Sequence, residues 1–276
     1  MAHYTAIPNA DDVAELIRSW QQYYNVLQTE LGNTATILDF GNELTAGLVS
    51  AATWTGRTFH ASGLSPVWTP NEALSAYDTP FNLKNWLGAA PILTMNGTDE
   101  EADTPDAAYW STTLDAFSWG AWVNFTDPTS SSILAKYTTA GNLREWSFHT
   151  SAADKLQMIL YDEDAAANEQ ISTLADAALT AATWYFVVAT YDGSANASGI
   201  DLYVNGAVVA STDTDEANFV SSRDTAALVT LGIANATNFM DGKFLGGPWS
   251  PFVVQTALTA AQVNNIYQGL RLGLGV

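Results

Sequence analysis

Clusters of carboxylates are the residues of this 276-residue chain whose chemistry is easiest to name. Hydrolysis of a glycosidic bond needs a nucleophile and an acid about 5 Å apart, with pKa values driven apart by their surroundings. Glu101, Asp103 and Asp106 form one such cluster, and residues 162–164 form another. Pro105 interrupts the first run and both runs are rich in turn-forming residues, so we predict that both lie in turns. This placement argues against a glycosidase.

Other catalytic arrangements find no support in the sequence. His3, His60 and His149 are isolated, and none belongs to the His-x-x-x-His spacing that binds zinc on a helix. No Gly-x-Ser-x-Gly nucleophile motif occurs, and the chain has no cysteine for a disulfide or a thiolate ligand. We therefore expect a protein that is not an enzyme.

The charge of the chain excludes two classes of partner. It has 29 acidic and nine Lys or Arg residues, a formal net charge of −20, which repels the phosphates of nucleic acids and the headgroups of anionic membranes. The N-terminal residues do not resemble a secretory signal, and no apolar run approaches the roughly 20 residues that span a bilayer. If the protein works outside a cell, we expect it to leave the cell by lysis, by a dedicated machine or as part of a particle.

The N-terminal third divides into two segments. A heptad spacing of apolar residues predicts a helix within residues 1–32, and Gly32 is a suitable terminating residue. This apolar seam either packs on the protein's own sheet or assembles a homo-oligomer, and the spacing alone does not choose between them. Prolines and scattered glycines predict an irregular arm or connector with a few short strands over residues 33–90. The seam consists of Val13, Ile17, Trp20, Tyr24, Leu27 and Leu31.

From residue 91 to residue 276, short β-prone runs alternate with turn clusters, which predicts an antiparallel sandwich or barrel. Asn205-Gly206 lies between two such runs and predicts a type I′ hairpin, since both residues tolerate positive φ. The run WYFVVATY at 184–191 is apolar on both faces and predicts a strand buried on both sides. A short helix is predicted to begin after Thr259 and to end before Gly269.

Five stretches in this order resemble the laminin G-like branch of the concanavalin A-like jelly-roll superfamily. They are LTMNGTDEEADTPDAAYW (93–110), FSWGAWVNF (117–125), ATWYFVVATYDGS with IDLYVNGAVVAS (182–211), and FMDGKFLGGPWSPFVVQTALTAAQV (239–263). The resemblance covers about 91–270. It implies a mainly β fold, an antiparallel two-sheet jelly roll. The N-terminal α-helix and the extended arm predicted above precede this jelly roll.

The resemblance also implies where ligands would bind. Relatives often hold one calcium ion at the rim of the sandwich through Asp side chains and backbone carbonyls, so the tentative calcium ligands are Asp99, Asp103, Asp162 and Asp164. The alternative is that these are solvated turn carboxylates, and no cofactor is otherwise required. Exposed aromatic residues would stack on sugars, and the tentative ligand-binding residues are Trp110 and Trp249, which lie in turn-rich segments.

The function implied by this resemblance is that of a non-enzymatic virion structural protein of a tailed phage, either a capsid decoration or a tail surface protein. Residues 1–90 would anchor a homo-oligomer, expected to be a trimer, on partners such as the major capsid protein. The jelly roll would face outward on the virion surface for attachment to host glycans, with the doubly apolar strand at contacts between subunits. The alternative is a bacterial carbohydrate-binding or adhesion module.

Overall fold

The computed structural model describes residues 37–39, 69–71, 77–78, 92–163, 169–234, 238–245 and 251–274. Within them lie two 3₁₀ helices, η1 (Ala108–Trp110) and η2 (Ala197–Gly199), and one α-helix, α1 (Ala260–Leu274). The strands, in chain order, are β1 (Ile37–Asp39), β2 (Thr69–Asn71), β3 (Tyr77–Asp78), β4 (Ile92–Asn96), β5 (Glu101–Thr104), β6 (Phe117–Asp127), β7 (Ser132–Lys136), β8 (Trp146–Thr150), β9 (Lys155–Asp162), β10 (Glu169–Ala178), β11 (Trp184–Tyr191), β12 (Ile200–Val204), β13 (Ala207–Val208), β14 (Ser211–Asp215), β15 (Val229–Leu231), β16 (Asp241–Leu245) and β17 (Phe252–Val254).

The strands form two sheets in which every described pairing is antiparallel. Sheet A has the order β13-β12-β11-β6-β16-β4-β3, and β17 pairs with both β6 and β1. Sheet B has the order β14-β10-β9-β8-β7-β15-β5-β2. The mainly β, two-sheet sandwich expected from the sequence is therefore confirmed.

Aromatic side chains from both sheets fill the space between them. Trp119 on β6 and Trp146 on β8 are fully buried, and their ring centroids lie 5.6 Å apart across the sandwich. Phe117 adds a third ring 5.6 Å from Trp119. Alternate residues of β6 point into this layer, as the alternation of side chains along a strand requires, namely Phe117, Trp119, Ala121, Val123 and Phe125.

A second apolar cluster covers the outer face of sheet A, where α1 packs on the central strands. Tyr267 of α1 stacks on Trp122 of β6 at 5.7 Å and on Phe186 of β11 at 6.4 Å. Phe252 of β17 lies over Gly120, where an added Cβ would approach the Phe252 ring to 2.3 Å. The doubly apolar strand β11 is thus covered on its outer face by the chain's own C-terminal helix, which corrects the expectation that a neighbouring subunit covers it.

Two local predictions are confirmed in detail. Asn205 and Gly206 have φ values of 52° and 80°, and Tyr203 pairs with Val208 across them, so the hairpin turns where the sequence predicts. The backbone N–H of Gln262 donates to Thr259 Oγ1 at 3.3 Å, and the side chain of Gln262 accepts from the backbone N–H of Thr259 at 2.8 Å. This reciprocal pair is a capping box that begins α1.

Three local predictions are wrong. Residues 101–104 form strand β5 rather than a turn, and Asp162 ends strand β9. Helix α1 continues through Gly269 to Leu274, because packing on sheet A outweighs the local preference of glycine to end a helix.

Strand β10, whose sequence EQISTLADAA lacks a clear apolar alternation, is held by pairing with β9 and β14. No described helix is long and apolar enough to span a membrane.

Short strands from the predicted arm join the sandwich. Strand β1 pairs with β17, β2 pairs with β5, and β3 pairs with β4. The heptad seam (Val13, Ile17, Trp20, Tyr24, Leu27 and Leu31) lies outside the described residues. The division into helix, arm and jelly roll therefore stays a prediction.

Candidate functional site

A long loop without regular structure lies at one end of the sandwich. It comprises residues 216–228, connects β14 to β15, and is called the rim loop below. Loops longer than about 12 residues without secondary structure are uncommon in compact domains, and many of them bind ligands. The contacts that hold the rim loop therefore decide whether it presents a defined surface.

Buried carboxylates hold the first half of the rim loop. Asp162, which is 3% exposed, accepts hydrogen bonds from the backbone N–H groups of Val220 at 3.0 Å and Ser221 at 3.4 Å. Glu169 accepts a hydrogen bond from the side-chain amide of Asn218 at 3.1 Å. These bonds tie the loop to the facing ends of β9 and β10 and fix its backbone.

Hydroxyl groups hold the second half of the loop against the segment after η1. Ser111 donates to Asp224 at 3.0 Å, and the hydroxyl groups of Thr112 and Ser222 share a buried hydrogen bond. Both contacts join residues that are more than a hundred positions apart. The rim loop is thus anchored on two sides and presents a defined surface.

A buried ionic cluster lies directly beneath the loop. Lys136 and Glu145 are both 0% exposed and form an ion pair, and Lys136 Nζ lies 2.9 Å from Asp106 Oδ1. Lys136 also donates to the carbonyl of Thr225, whose N–H donates to Glu145 Oε1 at 2.5 Å. Burial raises the pKa of the Glu145 carboxyl, and the ammonium group of Lys136 opposes that rise. The cluster clamps both backbone groups of Thr225.

Between the rim loop and the β7–β8 hairpin lies an open cleft of about 570 Å³, called the rim cleft below. Its volume falls in the usual range for small-ligand sites, about 300 to 1,000 Å³. The hairpin side is closed by reciprocal backbone hydrogen bonds between Thr138 and Leu143, at 3.1 and 3.3 Å. The cleft is lined by Gly141, Asn142, Leu143, Glu163, Arg223, Asp224, Thr225 and Ala226.

Glu163 forms the floor of the rim cleft at the end of β9. Its side chain is 1% exposed, and its Oε1 accepts from Arg144 Nε. The guanidinium of Arg144 lies 5.2 Å from the ring centroid of Tyr161, which meets Tyr137 edge-on at 5.3 Å. Among the described residues, Glu163 Oε2 has no hydrogen-bond partner. The floor of the cleft therefore holds a rigid carboxylate with one unused acceptor.

The two tryptophans predicted to bind ligand do not contribute to this cleft. Trp110 ends η1 and is 0% exposed, and its carbonyl accepts a hydrogen bond from Trp146 Nε1 at 2.9 Å. A fully buried indole presents no face to a sugar, so the structure places Trp110 in the core and corrects its proposed role. Trp249 lies outside the described residues.

Of the four aspartates predicted to hold calcium, the three that the structure describes do not form a metal-binding group. Asp99 accepts a hydrogen bond from the side chain of Asn96 at 2.8 Å, Asp103 lies on β5, and Asp162 binds the rim loop. Asp164 lies outside the described residues. Within the part of the chain that the structure describes, no three His, Asp or Glu side chains form a group able to hold a metal ion. Calcium binding stays a prediction.

The carboxylates of the first cluster are arranged differently from the expectation. Glu101 and Asp103 alternate with two fully buried residues of β5, so both point to the outer face of sheet B. Burial, and then repulsion from Glu101, raises the pKa of Asp103. Asp106, the third member of the cluster, binds Lys136 instead of joining this pair.

One histidine lies on the outer face of sheet B. His149 Nδ1 lies 3.0 Å from the Ser147 hydroxyl, and burial lowers the pKa of its imidazole to about 4. Among the described residues its hydrogen-bond partners are Ser147 and Gln157. With no carboxylate to orient it, the pair lacks the third member of a nucleophilic triad.

Sequence reasoning missed the residues that build the rim cleft. Lys136 ends the apolar run SILAK, and Glu145 and Glu163 adjoin strands. The available signal was the rarity of cations: with nine in the chain, one inside a buried strand requires a charged partner. That signal indicates a buried ion pair but does not name its partners.

Comparisons with solved structures show the same fold in binding domains. The chain is similar to the binding domain of Paraclostridial Mosquitocidal Protein 1, at 10% identity and TM-score 0.57, over 79% of this chain and 51% of that chain. It is similar to botulinum neurotoxin type C, which interacts with two ganglioside molecules, at 12% identity and TM-score 0.52, over 85% and 51%. This chain thus matches about half the length of these two toxin structures.

Domain 4 of AbnA, an extracellular arabinanase from Geobacillus stearothermophilus, also matches, and its structure contains arabinotriose. It shares 15% identity with a TM-score of 0.53, over 85% of this chain and 99% of that domain. No curated protein sequence matches significantly. The family model for the concanavalin A-like lectin/glucanase superfamily matches residues 96–264, which is more than half of the chain. The chain therefore belongs to the concanavalin A-like lectin/glucanase superfamily.

Proposed function

We propose that this protein is a non-enzymatic recognition module that binds saccharide in the rim cleft. The observation that carries the proposal is a preformed cleft of ligand size whose rim loop is clamped by buried ionic groups. Preformed sites bind with less loss of conformational entropy than loops that order on binding. The side chains of Asn142, Arg223 and Asp224 supply donors and acceptors for hydroxyl groups, and Leu143 and Ala226 supply apolar contact.

The comparisons support this class of ligand. The arabinanase domain that shares the fold holds arabinotriose, and one similar toxin interacts with gangliosides, which are glycolipids. Both are matches of fold alone, so the cleft and not the fold carries the argument for this chain.

The carboxylates of the cleft support the non-enzymatic part of the proposal. A glycosidase needs two carboxylates at a defined separation about one bound bond. Besides Glu163, the cleft lining contains one carboxylate, Asp224. Asp224 is exposed and accepts a hydrogen bond from Ser111. Glu101 and Asp103 form a pair on β5, but neither lines the rim cleft.

A glycan array with the full-length protein, followed by calorimetry with the best ligand, tests the proposal. Ala226→Trp fills the cleft from an exposed position and is expected to weaken binding at least about tenfold by steric exclusion. Ala152→Trp, an exposed alanine in the β8–β9 turn at the other end of the sheet, is the matched control and keeps the wild-type affinity. Failure of a folded protein to bind any glycan would overturn the proposed function.

Calcium is tested with the same ligand. If rim aspartates hold calcium beside the site, a chelator lowers both the affinity and the midpoint of thermal unfolding. If they are solvated turn carboxylates, neither quantity changes.

For the setting of the module we propose display on a virion surface, with residues 1–32 forming a trimer and the major capsid protein as a partner. The support is the heptad seam in the sequence and the resemblance to phage virion proteins. The alternative, a bacterial carbohydrate-binding or adhesion module, is supported by the extracellular arabinanase among the matches. Light scattering distinguishes the two: a trimer that becomes a monomer on deletion of residues 1–32 supports the first, and an unchanged monomer contradicts it.

A further inference from the structure

The chemical character of the rim cleft is set by one buried oxygen. Glu163 Oε1 is bonded to Arg144, whereas Oε2 has no hydrogen-bond partner among the described residues although the side chain is 1% exposed. A buried carboxylate oxygen without a donor is costly, and in native proteins such groups commonly receive a hydrogen bond from a ligand or an ordered water. Glu163 lines the rim cleft, so a ligand bound there lies beside this carboxylate and is the donor that we consider.

Carboxylates outnumber cations around this oxygen, since Glu145 and Asp106 share the single cation Lys136 directly beneath the rim loop. Arg144 pairs with Glu163 on the floor, and Arg223 and Asp224 lie next to each other on the rim loop. An anion placed against Glu163 Oε2 would meet a carboxylate that already has its counterion.

The geometry points to a neutral saccharide as the ligand, with a pair of adjacent hydroxyl groups at the cleft floor, one of which donates to Glu163 Oε2. This inference rests on the proposed function and adds its specificity: Glu163 selects neutral glycans and rejects sialylated, sulfated or uronic ones. A hydroxyl group fits because it donates to the carboxylate and can accept from a neighbouring donor such as Arg223 or Asn142. Carboxylate acceptors also strengthen the bond, since one partner is ionised.

Wild-type protein provides the first test. Arabinotriose and lactose serve as neutral probes, and 3′-sialyllactose and sulfated lactose serve as anionic probes that contain the same lactose core. We expect measurable binding of at least one neutral probe and at least about tenfold weaker binding of the anionic probes. Equal or tighter binding of the anionic probes overturns the inference and leaves the proposed function standing. Binding of no probe and of no glycan on an array overturns both.

Glu163→Gln provides the second test, since the amide has nearly the same shape but replaces Oε2 with a donor. We expect neutral binding to fall at least about tenfold and anionic binding to rise, because Arg144 then lacks its counterion. Glu101→Gln makes the same chemical change on β5, away from the cleft lining, and should leave affinity unchanged. Near-UV circular dichroism checks that each variant is folded. Unchanged neutral binding by folded Glu163→Gln overturns the role of Glu163, and the wild-type comparison decides the specificity if that variant does not fold.

Discussion

Replacing Lys136 with methionine is the change that tests most directly how the rim loop is built. Methionine keeps most of the side-chain length and removes the charge. Glu145, which is 0% exposed, is then left without its cation, and the carbonyl of Thr225 loses its donor. Breaking a buried ion pair from one side costs about 3 to 5 kcal/mol of unfolding free energy. Asp106 adds less, since a third of its side chain is exposed.

A double-mutant cycle with Glu145→Gln separates the interaction energy between Lys136 and Glu145 from the other effects of each substitution. The single change Glu145→Gln is expected to cost less, about 1 to 3 kcal/mol, because Lys136 keeps Asp106 as a counterion and the glutamine amide oxygen still accepts from the Thr225 N–H. The variant with both Lys136→Met and Glu145→Gln contains no unpaired buried charge at position 145. Its loss should fall short of the sum of the single losses by at least about 1.5 kcal/mol.

The pH dependence gives an independent check. Burial raises the pKa of Glu145 in the wild type, and removing the ammonium group of Lys136 raises it further. Since the folded pKa then lies above the unfolded one, stability is present at low pH and is lost as pH rises from the unfolded towards the folded value. The cost of Lys136→Met should therefore be smaller at pH 5 than at pH 8.

Urea unfolding of the four proteins at both pH values measures these quantities. In the Glu145→Gln background the cost of Lys136→Met should not change between the two pH values. Additive losses within about 0.5 kcal/mol, together with a Lys136→Met cost that is the same at pH 5 and pH 8, would refute the reasoning and indicate that the two side chains act separately.

Three further predictions concern other parts of the sandwich. Burial lowers the pKa of His149 from 6.5 to about 4. The stability that this group contributes above pH 6.5 is therefore lost as the pH falls towards 4, by at most about 3 kcal/mol of unfolding free energy. His149→Gln should remove this pH dependence in urea unfolding. Gly120→Ala should cost about 1 to 3 kcal/mol in thermal unfolding, because its Cβ would lie 2.3 Å from the Phe252 ring. The protein should release no reducing ends from arabino-oligosaccharides. If reducing ends are released and Asp103→Asn abolishes their release, the catalytic site would instead lie on β5.

Much of the fold was predictable because its signals are local. Alternating apolar residues identified β12, and runs of β-prone residues identified β6 and β11. Asn205-Gly206 identified the hairpin between β12 and β13, since positive φ is a property of these two residues. Strand β5 was misjudged because its acidic residues and the nearby Pro105 look like a turn. It forms a strand because two of its alternate residues are buried and its backbone pairs with β15 and β2.

The rim cleft was not predictable, because its contacts join distant residues. Lys136 reaches Thr225 across 89 positions, and Glu145 reaches the same residue across 80. Trp110 was misjudged for a related reason. A tryptophan in a turn-rich segment looks exposed in the sequence, and only the folded chain shows that β8 carries Trp146 over it.

By itself the sequence determined the class of the fold, the positions of most strands of the jelly roll, the beginning of the C-terminal helix and the acidic surface. These follow from patterns that act within a few residues or from total composition. Only the tertiary structure decided that the helix covers sheet A, that Trp110 is core, and that Glu163 forms the floor of a cleft. Those outcomes depend on which residues from distant segments are buried against one another, and the sequence does not specify these contacts locally.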